Sequence, residues 1–147
     1  MTDECEALLY SASRMQHLAD RVVPALNEDK LVICDRYVDS SLAYQAYARG
    51  LGEEFIESIN KLALTKYAPD TTIFIDLTPE QAFARKKGAD ENDRLEQAGM
   101  AFHKRVYDGY QRVAEKYPER VVRIDGNQTP TEIFEDVLHV LKIRNCL

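Results

Sequence analysis

The spacing of apolar residues along the chain predicts helices that alternate with short strands. Apolar side chains recur at three- and four-residue steps between residues 4 and 26, which is the period of an amphipathic helix, and Pro24 is expected to bend its end. Three β-branched, mostly apolar runs, at 31–35, 71–77 and 120–125, are typical of strands covered on both faces. We therefore predict an α/β fold in which helices flank a parallel sheet.

Two helices carry the same start signal, Thr-Pro-Glu-Gln at 78–81 and Thr-Pro-Thr-Glu at 129–132. In each, threonine is the expected N-cap, proline the first helical residue, and a glutamine or glutamate side chain returns to the cap. No linker rich in proline, glycine or serine divides the chain. We therefore expect a single domain over residues 1–147.

Composition and charge narrow the classes of function. With 147 residues, 45% of them hydrophobic and 30% charged, the chain can bury a sizeable core. A net charge of −6 argues against binding a nucleic-acid polymer, because such binding depends on many lysine and arginine contacts to phosphate. An anionic ligand must therefore meet a local cluster of cations.

Three widely separated cysteines, an odd number, do not combine with the three histidines into a metal-ligand pattern, so we expect reduced thiols and no metal site. No apolar run approaches the roughly 20 residues of a membrane span, and the N-terminal residues are acidic. These features favour a cytoplasmic location.

Asp35 and Arg36 stand where the first predicted strand ends, at the carboxyl edge of the sheet, where parallel sheets bind ligands. The planar guanidinium of Arg36 suits two phosphate oxygens, so a phosphate ligand is one interpretation. The alternative is that Arg36 pairs with Asp35, Asp39 or another carboxylate at the rim of the sheet.

A predicted helix follows. If Asp39 or Ser40 caps it, then Ser41, Tyr44 and Gln45 lie on one face. The amide of Gln45 offers a donor and an acceptor side by side, which matches the N3–H and O4 edge of thymine or uracil. The alternative is an ordinary amphipathic helix that turns these polar side chains to solvent.

Tyr10 and Arg14 are four residues apart on the first predicted helix, so they share a face that can offer an aromatic ring beside a guanidinium. A flat base fits such a face, although pairs of this kind also simply support exposed helices. A second cationic group, Arg85, Lys86, Lys87 and Arg94, surrounds an acidic loop. This pattern suits a lid over phosphates at about 85–97, or a solvated helix end.

Five segments, taken in order, resemble bacterial-type thymidylate kinases, which transfer a phosphoryl group from ATP to dTMP. They are LLYSASRMQH, VICDRYVDSSLAYQAYARGLG, PDTTIFIDLTPEQAFARKK, DRLE and RIDGNQTPTEI. The second segment is the most specific, and together the five cover nearly the whole chain. The resemblance implies a kinase that converts dTMP to dTDP with ATP and Mg²⁺ and binds no membrane.

The resemblance also implies roles for single residues. Arg36 would hold the monophosphate, Tyr10 would stack on thymine, and Arg14 and Gln45 would contact the edge of the base. The residues that would line the rest of the nucleoside pocket are Ser41 and Tyr44. The implied residues near ATP are Arg85, Gly126 and Asn127, and the implied catalytic residues are Asp35, Arg36 and Arg94.

Thymidylate kinases begin with a strand, a phosphate loop of the form G-x-x-x-x-G-K-[ST] and a helix, and this sequence begins after them. None of its six glycines lies in such a loop. We therefore expect the fold of a P-loop nucleoside monophosphate kinase without its first, central strand, and a homo-oligomer or an N-terminal fragment as partner for the exposed sheet edges. The alternatives are a non-catalytic nucleotide-binding or assembly fragment and a deoxynucleoside kinase.

Overall fold

The computed structural model describes residues 1–85 and 99–146, which form helices around a small parallel sheet. The α-helices of these residues are α1 (Asp3–His17), α2 (Val23–Asn27), α3 (Val38–Ser41), α4 (Glu53–Ile59), α5 (Lys61–Lys66), α6 (Pro79–Arg85), α7 (Gly99–Lys116) and α8 (Pro130–Ile143). Two π-helical stretches, Leu18–Val22 and Leu42–Ala48, continue α1 and α3. The strands are β1 (Thr72–Asp76) and β2 (Val121–Asp125). Apart from Arg85, the predicted lid at 85–97 lies outside the described residues.

The sheet confirms the predicted α/β class and its parallel strands at 71–77 and 120–125. β1 and β2 run in parallel, with Thr72 opposite Val121 and Asp76 opposite Asp125. The chain leaves both strands at the same edge, where the amide of Gly126 donates to the carbonyl of Asp76 at 2.8 Å. A Cβ at Gly126 would lie 2.8 Å from that carbonyl oxygen, so only glycine allows this close approach.

The predicted strand at 31–35 is wrong. These residues have no regular secondary structure, and no strand among the described residues pairs with them. Their side chains still alternate: Val32 packs against a buried cluster, whereas Leu31 and Ile33 are 53% and 82% exposed. The run has the composition of a strand, but a strand also needs a neighbour for its backbone groups, and β1 pairs with β2 instead.

The first helix is confirmed, with one local change. α1, the π-helical stretch Leu18–Val22 and α2 follow one another without a break from Asp3 to Asn27. Pro24 stands just after the widened π turn. Proline lacks an N–H and its ring crowds the carbonyl four residues earlier, so a widened turn accommodates it. The helix therefore continues past the proline instead of ending there.

Both predicted start signals are confirmed. The Thr78 hydroxyl accepts from the amide of Gln81 at 3.3 Å, and the Gln81 side chain accepts from the amide of Thr78 at 3.0 Å. Thr129 and Glu132 make the same reciprocal pair at the start of α8. These caps place α6 and α8 directly after β1 and β2.

The centre of the molecule is the helix formed by α3 and the π-helical stretch Leu42–Ala48, called here the site helix (Val38–Ala48). Leu42 and Ala43 on this helix are fully buried. α7 packs across it at Gly109, where an added Cβ would lie 2.8 Å from the carbonyl oxygen of Ala43. The site helix is thereby clamped between α1 on one side and α7 on the other. Within the described residues, no helix is long and apolar enough to span a membrane.

Candidate functional site

Arg14 of α1 reaches across to the site helix and is fixed by several acceptors. Its Nη1 donates to Asn60 Oδ1 at 2.5 Å, and its Nη2 donates to Ser41 Oγ at 2.9 Å and to the Tyr37 carbonyl at 3.4 Å. Burial lowers the pKa of Arg14, while the nearby Tyr37 and Asp39 oppose that change. The guanidinium is therefore held in one orientation beside Ser41.

Gln45 lies one turn after Ser41 and also faces α1. It is buried, and its Nε2 donates to Glu6 Oε1 at 2.9 Å. Tyr10, one turn before Arg14, keeps 55% of its surface exposed. The structure thus brings together Arg14, Ser41 and Gln45 as predicted. The Tyr10 ring lies on α1, the helix of Arg14, and is open to a ligand.

Tyr44 does not share that face, so this part of the prediction is wrong. Its ring packs edge-on against Phe102 and Tyr110 of α7, away from α1. The reason is the wider π turn from Leu42 to Ala48, which changes the angular spacing that an α-helix would give. Tyr44 instead faces Arg36, whose guanidinium carbon lies 4.5 Å from the centre of the Tyr44 ring.

Arg36 has an unusual backbone. Its φ is +68°, in the left-handed region that a bulky side chain rarely adopts. Its Nε donates to Ser40 Oγ at 3.3 Å, and the Ser40 hydroxyl also bonds the Tyr110 hydroxyl at 2.8 Å. Burial raises the pKa of Tyr110, while its bond to Ser40 and the charge of Arg36 oppose that change. Asp35, the neighbouring residue, is exposed.

The alternative that Arg36 pairs with Asp39 is wrong, and the condition that Asp39 or Ser40 caps the site helix is not met. The N-cap is Tyr37, without a side-chain hydrogen bond. The carboxylate of Asp39 is buried and paired with Arg120, at 2.5 Å and 2.7 Å. Among the described residues, no carboxylate forms an ion pair with Arg36.

The Asp39–Arg120 pair is a feature that sequence reasoning missed. Thr72, the first residue of β1, donates to Asp39 Oδ2 at 3.0 Å, so the pair ties the start of the site helix to the sheet. Burial alone would lower the pKa of Arg120, but the hydrogen bonds and the charge of Asp39 outweigh burial and raise this pKa. The sequence carried one indication of this pair, the acidic Asp39 between the apolar Val38 and Leu42. An aspartate in such a place predicts a buried carboxylate, and a buried carboxylate needs a cationic partner.

A second group of predicted residues lies together at the carboxyl edge of the sheet. Arg85 Nη2 donates to the carbonyl of Gln128 at 3.1 Å, and the amide of Asn127 donates to Asp125 Oδ1 at 2.8 Å. Gly126 stands between them, against the end of β1. Arg85, the last residue of α6, therefore contacts the loop that contains Gly126 and Asn127, the other two residues expected near ATP. Arg94 lies outside the described residues.

An aromatic groove of about 320 Å³ runs from Tyr44 to the end of β1 and is lined also by Phe74, Phe83 and Tyr107. Beside it, Asp76 accepts from the Tyr107 hydroxyl at 2.9 Å and from Gln111 Nε2 at 3.0 Å. Burial and the bond to Asp76 raise the pKa of Tyr107. A larger groove of about 500 Å³ lies elsewhere, between α5 and the end of α7, and none of the predicted site residues lines it.

Comparison with known proteins decides the family. The family model for thymidylate kinases matches residues 1–137. The chain belongs to the thymidylate kinase family. A thymidylate kinase of Clostridium novyi (strain NT) is 49% identical over 144 residues, which cover 97% of this chain and 70% of that protein. Thymidylate kinases of Bacillus cereus (strain AH187) and Bacillus anthracis (strain A0248) are each 46% identical over 144 residues, covering 97% of this chain and 69% of theirs.

Membership of the thymidylate kinase family confirms two predictions, the family itself and its enzyme class, the phosphotransferases. The roles of single residues stay predictions. Around the site helix, fixed hydrogen-bonding groups lie on the side of α1, and a cationic and aromatic group lies at its start. A nucleotide needs the same two things, a polar surface for its base and cationic donors for its phosphate.

Proposed function

We propose that this chain binds dTMP beside the site helix and presents its phosphate to ATP, giving dTDP and ADP. The observation that carries the proposal is the setting of Arg36. Its guanidinium lies over Tyr44, its backbone is held at φ +68°, and no carboxylate of the described residues neutralises it. An arginine placed in this way can give a phosphate two charge-assisted hydrogen bonds.

The base would lie on the α1 side. Gln45 and Arg14 are held by Glu6, Asn60 and Ser41, so their remaining hydrogen-bonding groups have fixed positions. Tyr10 offers an exposed ring for stacking, Ser41 lies beside Arg14 on the base side, and the Tyr44 ring lies against Arg36 on the phosphate side. These roles match the roles that the resemblance to thymidylate kinases implies.

ATP would bind at the carboxyl edge of the sheet. The position of Gly126 and Asn127 at that edge supports an adenine site there, and Arg85 beside them would meet the phosphates. Within residues 1–85 and 99–146, no group of three or more His, Cys, Asp or Glu side chains could cage a metal ion. Thymidylate kinases use Mg²⁺, which in such sites is held largely by nucleotide phosphates and water with one or two carboxylates. Asp35 is the exposed carboxylate nearest in sequence to Arg36.

In this arrangement the protein contributes position and charge. An oxygen of the dTMP phosphate attacks the γ-phosphorus of ATP, and ADP leaves with the electron pair of the broken bond. Arg36 binds the acceptor phosphate so that one of its oxygens faces the γ-phosphorus, and its charge offsets the charge that builds up between the two phosphates. Mg²⁺, when bound, neutralises the oxygens of the β- and γ-phosphates.

The proposal is tested by calorimetric titration of dTMP and of thymidine into the chain and into Arg36→Ala. We expect Arg36→Ala to weaken dTMP binding by about 1.5 to 3 kcal/mol, because charge-assisted hydrogen bonds are lost. Thymidine binding should change little, since thymidine lacks the phosphate.

The matched control is Arg21→Ala, which removes an exposed arginine on the first helix. An unchanged dissociation constant for dTMP in Arg36→Ala, or an equal loss for thymidine, would remove Arg36 from this role. No measurable dTMP binding by the unaltered chain would overturn the proposal as a whole.

A further inference from the structure

The amide of Gln45 can point in either of two senses, and one contact decides which. Its Nε2 lies 2.9 Å from Glu6 Oε1. A carboxylate accepts hydrogen bonds and donates none, so only the NH₂ end of the amide can face Glu6. If the amide were reversed, two acceptor oxygens would face each other at a partly buried contact, and their repulsion and lost hydrogen bond would cost free energy. Glu6 therefore fixes the order of donor and acceptor on Gln45.

Glu6 is itself held in place. Its Oε2 lies 3.4 Å from Arg49 Nη2, and Arg49 also forms an ion pair with Asp3 at 3.3 Å. Asp3 and Glu6 belong to the first turn of α1, and Arg49 follows the end of the site helix. The contact between Glu6 and Gln45 thus joins the two helices on which the proposed base site is built.

We propose that Glu6 is a positioning residue for base selection, which acts through Gln45. One N–H of the Gln45 amide is bound to Glu6. The other N–H, a donor, and Oε1, an acceptor, remain for a ligand, and their relative positions are fixed. This order suits a pyrimidine that has an N–H at ring position 3 beside a carbonyl, as in thymine and uracil. Cytosine has the opposite order and would leave buried groups unpaired. The inference rests on the proposed binding of dTMP at this site and extends it to a residue without direct contact with the base.

The test compares dTMP and dCMP by calorimetry, and the quantity measured is the ratio of their dissociation constants. In Glu6→Gln the new amide can offer Gln45 either an oxygen or an NH₂ group, so the order on Gln45 is no longer fixed. We expect the preference for dTMP to fall by roughly tenfold, the equivalent of one unpaired buried polar group. Glu6→Asp keeps an acceptor-only carboxylate and should keep the preference in the same direction.

Two controls separate positioning from a general structural effect. Glu4→Gln removes the same charge from an exposed residue of α1 and should leave the ratio unchanged. In a Gln45→Ala background, Glu6→Gln should change the ratio no further, because the residue through which it acts is absent. Thermal melting of each variant verifies that it folds.

The outcomes distinguish this inference from the proposed function. If Gln45→Ala loses the dTMP preference but Glu6→Gln keeps it, the role of Glu6 is overturned and dTMP binding at the site stands. A change of the ratio in Glu4→Gln would also overturn it, in favour of a general charge effect. If the unaltered chain binds no dTMP, both proposals fail.

Discussion

At the scale of the residue, the Asp39–Arg120 pair does most to place the site. Both side chains are nearly inaccessible to solvent, and their two short hydrogen bonds have the fork geometry that arginine and carboxylate favour. Arg120 Nη1 also donates to Thr72 Oγ1 at 2.7 Å. If one partner is removed, the other charge stays buried without compensation. Removing one partner therefore costs more stability than the intact pair contributes.

Asp39→Asn is expected to lower the free energy of unfolding by about 3 to 5 kcal/mol, because it leaves Arg120 buried without its counter-charge. Urea denaturation measures this change. The control Asp35→Asn alters an exposed aspartate four residues earlier and should stay within about 0.5 kcal/mol of the unaltered chain. A difference between the two variants of less than about 1 kcal/mol would show that solvent reaches Arg120 and that the pair is not buried in solution.

At the scale of the element, local rules predict much of the fold and fail where a contact is remote. The helix over 4–26 and the strands at 71–77 and 120–125 follow from apolar spacing and start signals within a few residues. The strand at 31–35 is wrong because a strand depends on a neighbour that the local pattern cannot supply. The site shows the same division. Ser41 and Gln45 are placed correctly, whereas Arg120 and Asn60 are missed because they lie 81 and 46 residues from the partners Asp39 and Arg14.

The close crossing of α7 over the site helix gives a second stability prediction. A Cβ at Gly109 would lie 2.8 Å from the Ala43 carbonyl oxygen and 2.9 Å from the Ala43 Cα, distances at which the helices must move apart. We expect Gly109→Ala to destabilise the chain by about 1 to 3 kcal/mol, even though alanine favours an isolated helix over glycine by about 1 kcal/mol. Thermal and urea unfolding both measure this loss of stability.

The control is Asp108→Ala, on the neighbouring exposed position of α7, which raises helix propensity and removes a surface charge near Lys104 without bringing two helices into contact. Equal or greater stability of Gly109→Ala would mean that the two helices do not approach this closely in solution. Loss of dTMP binding together with stability would further indicate that α7 sets the position of the site helix.

At the scale of the whole molecule, β1 and the segment at 31–34 carry part of the exposed apolar surface. β1 pairs with β2 along one edge, and along its other edge no strand of the described residues pairs with it. Its sequence, Thr-Ile-Phe-Ile-Asp, has neither the lysine nor the proline that usually protects an open edge. Ile75 on β1 is 48% exposed, and the irregular segment at 31–34 adds the exposed Leu31 and Ile33. Surfaces of this kind favour association with another strand.

We therefore expect the chain to self-associate at micromolar concentration, with an apparent mass by light scattering that rises with concentration. Ile33→Lys should reduce this association, because it places a charge on the more exposed of the two apolar side chains of the segment at 31–34. Ile143→Lys is the control. It puts the same charge on an isoleucine that is 65% exposed at the end of α8, compared with 82% for Ile33. Equal effects of the two variants would mean that net charge, and not the open edge, governs association. A monomer at every concentration would mean that the exposed edge and the segment at 31–34 cover each other in solution, and Tyr37, the N-cap of the site helix three residues after that segment, would then have to shift with it.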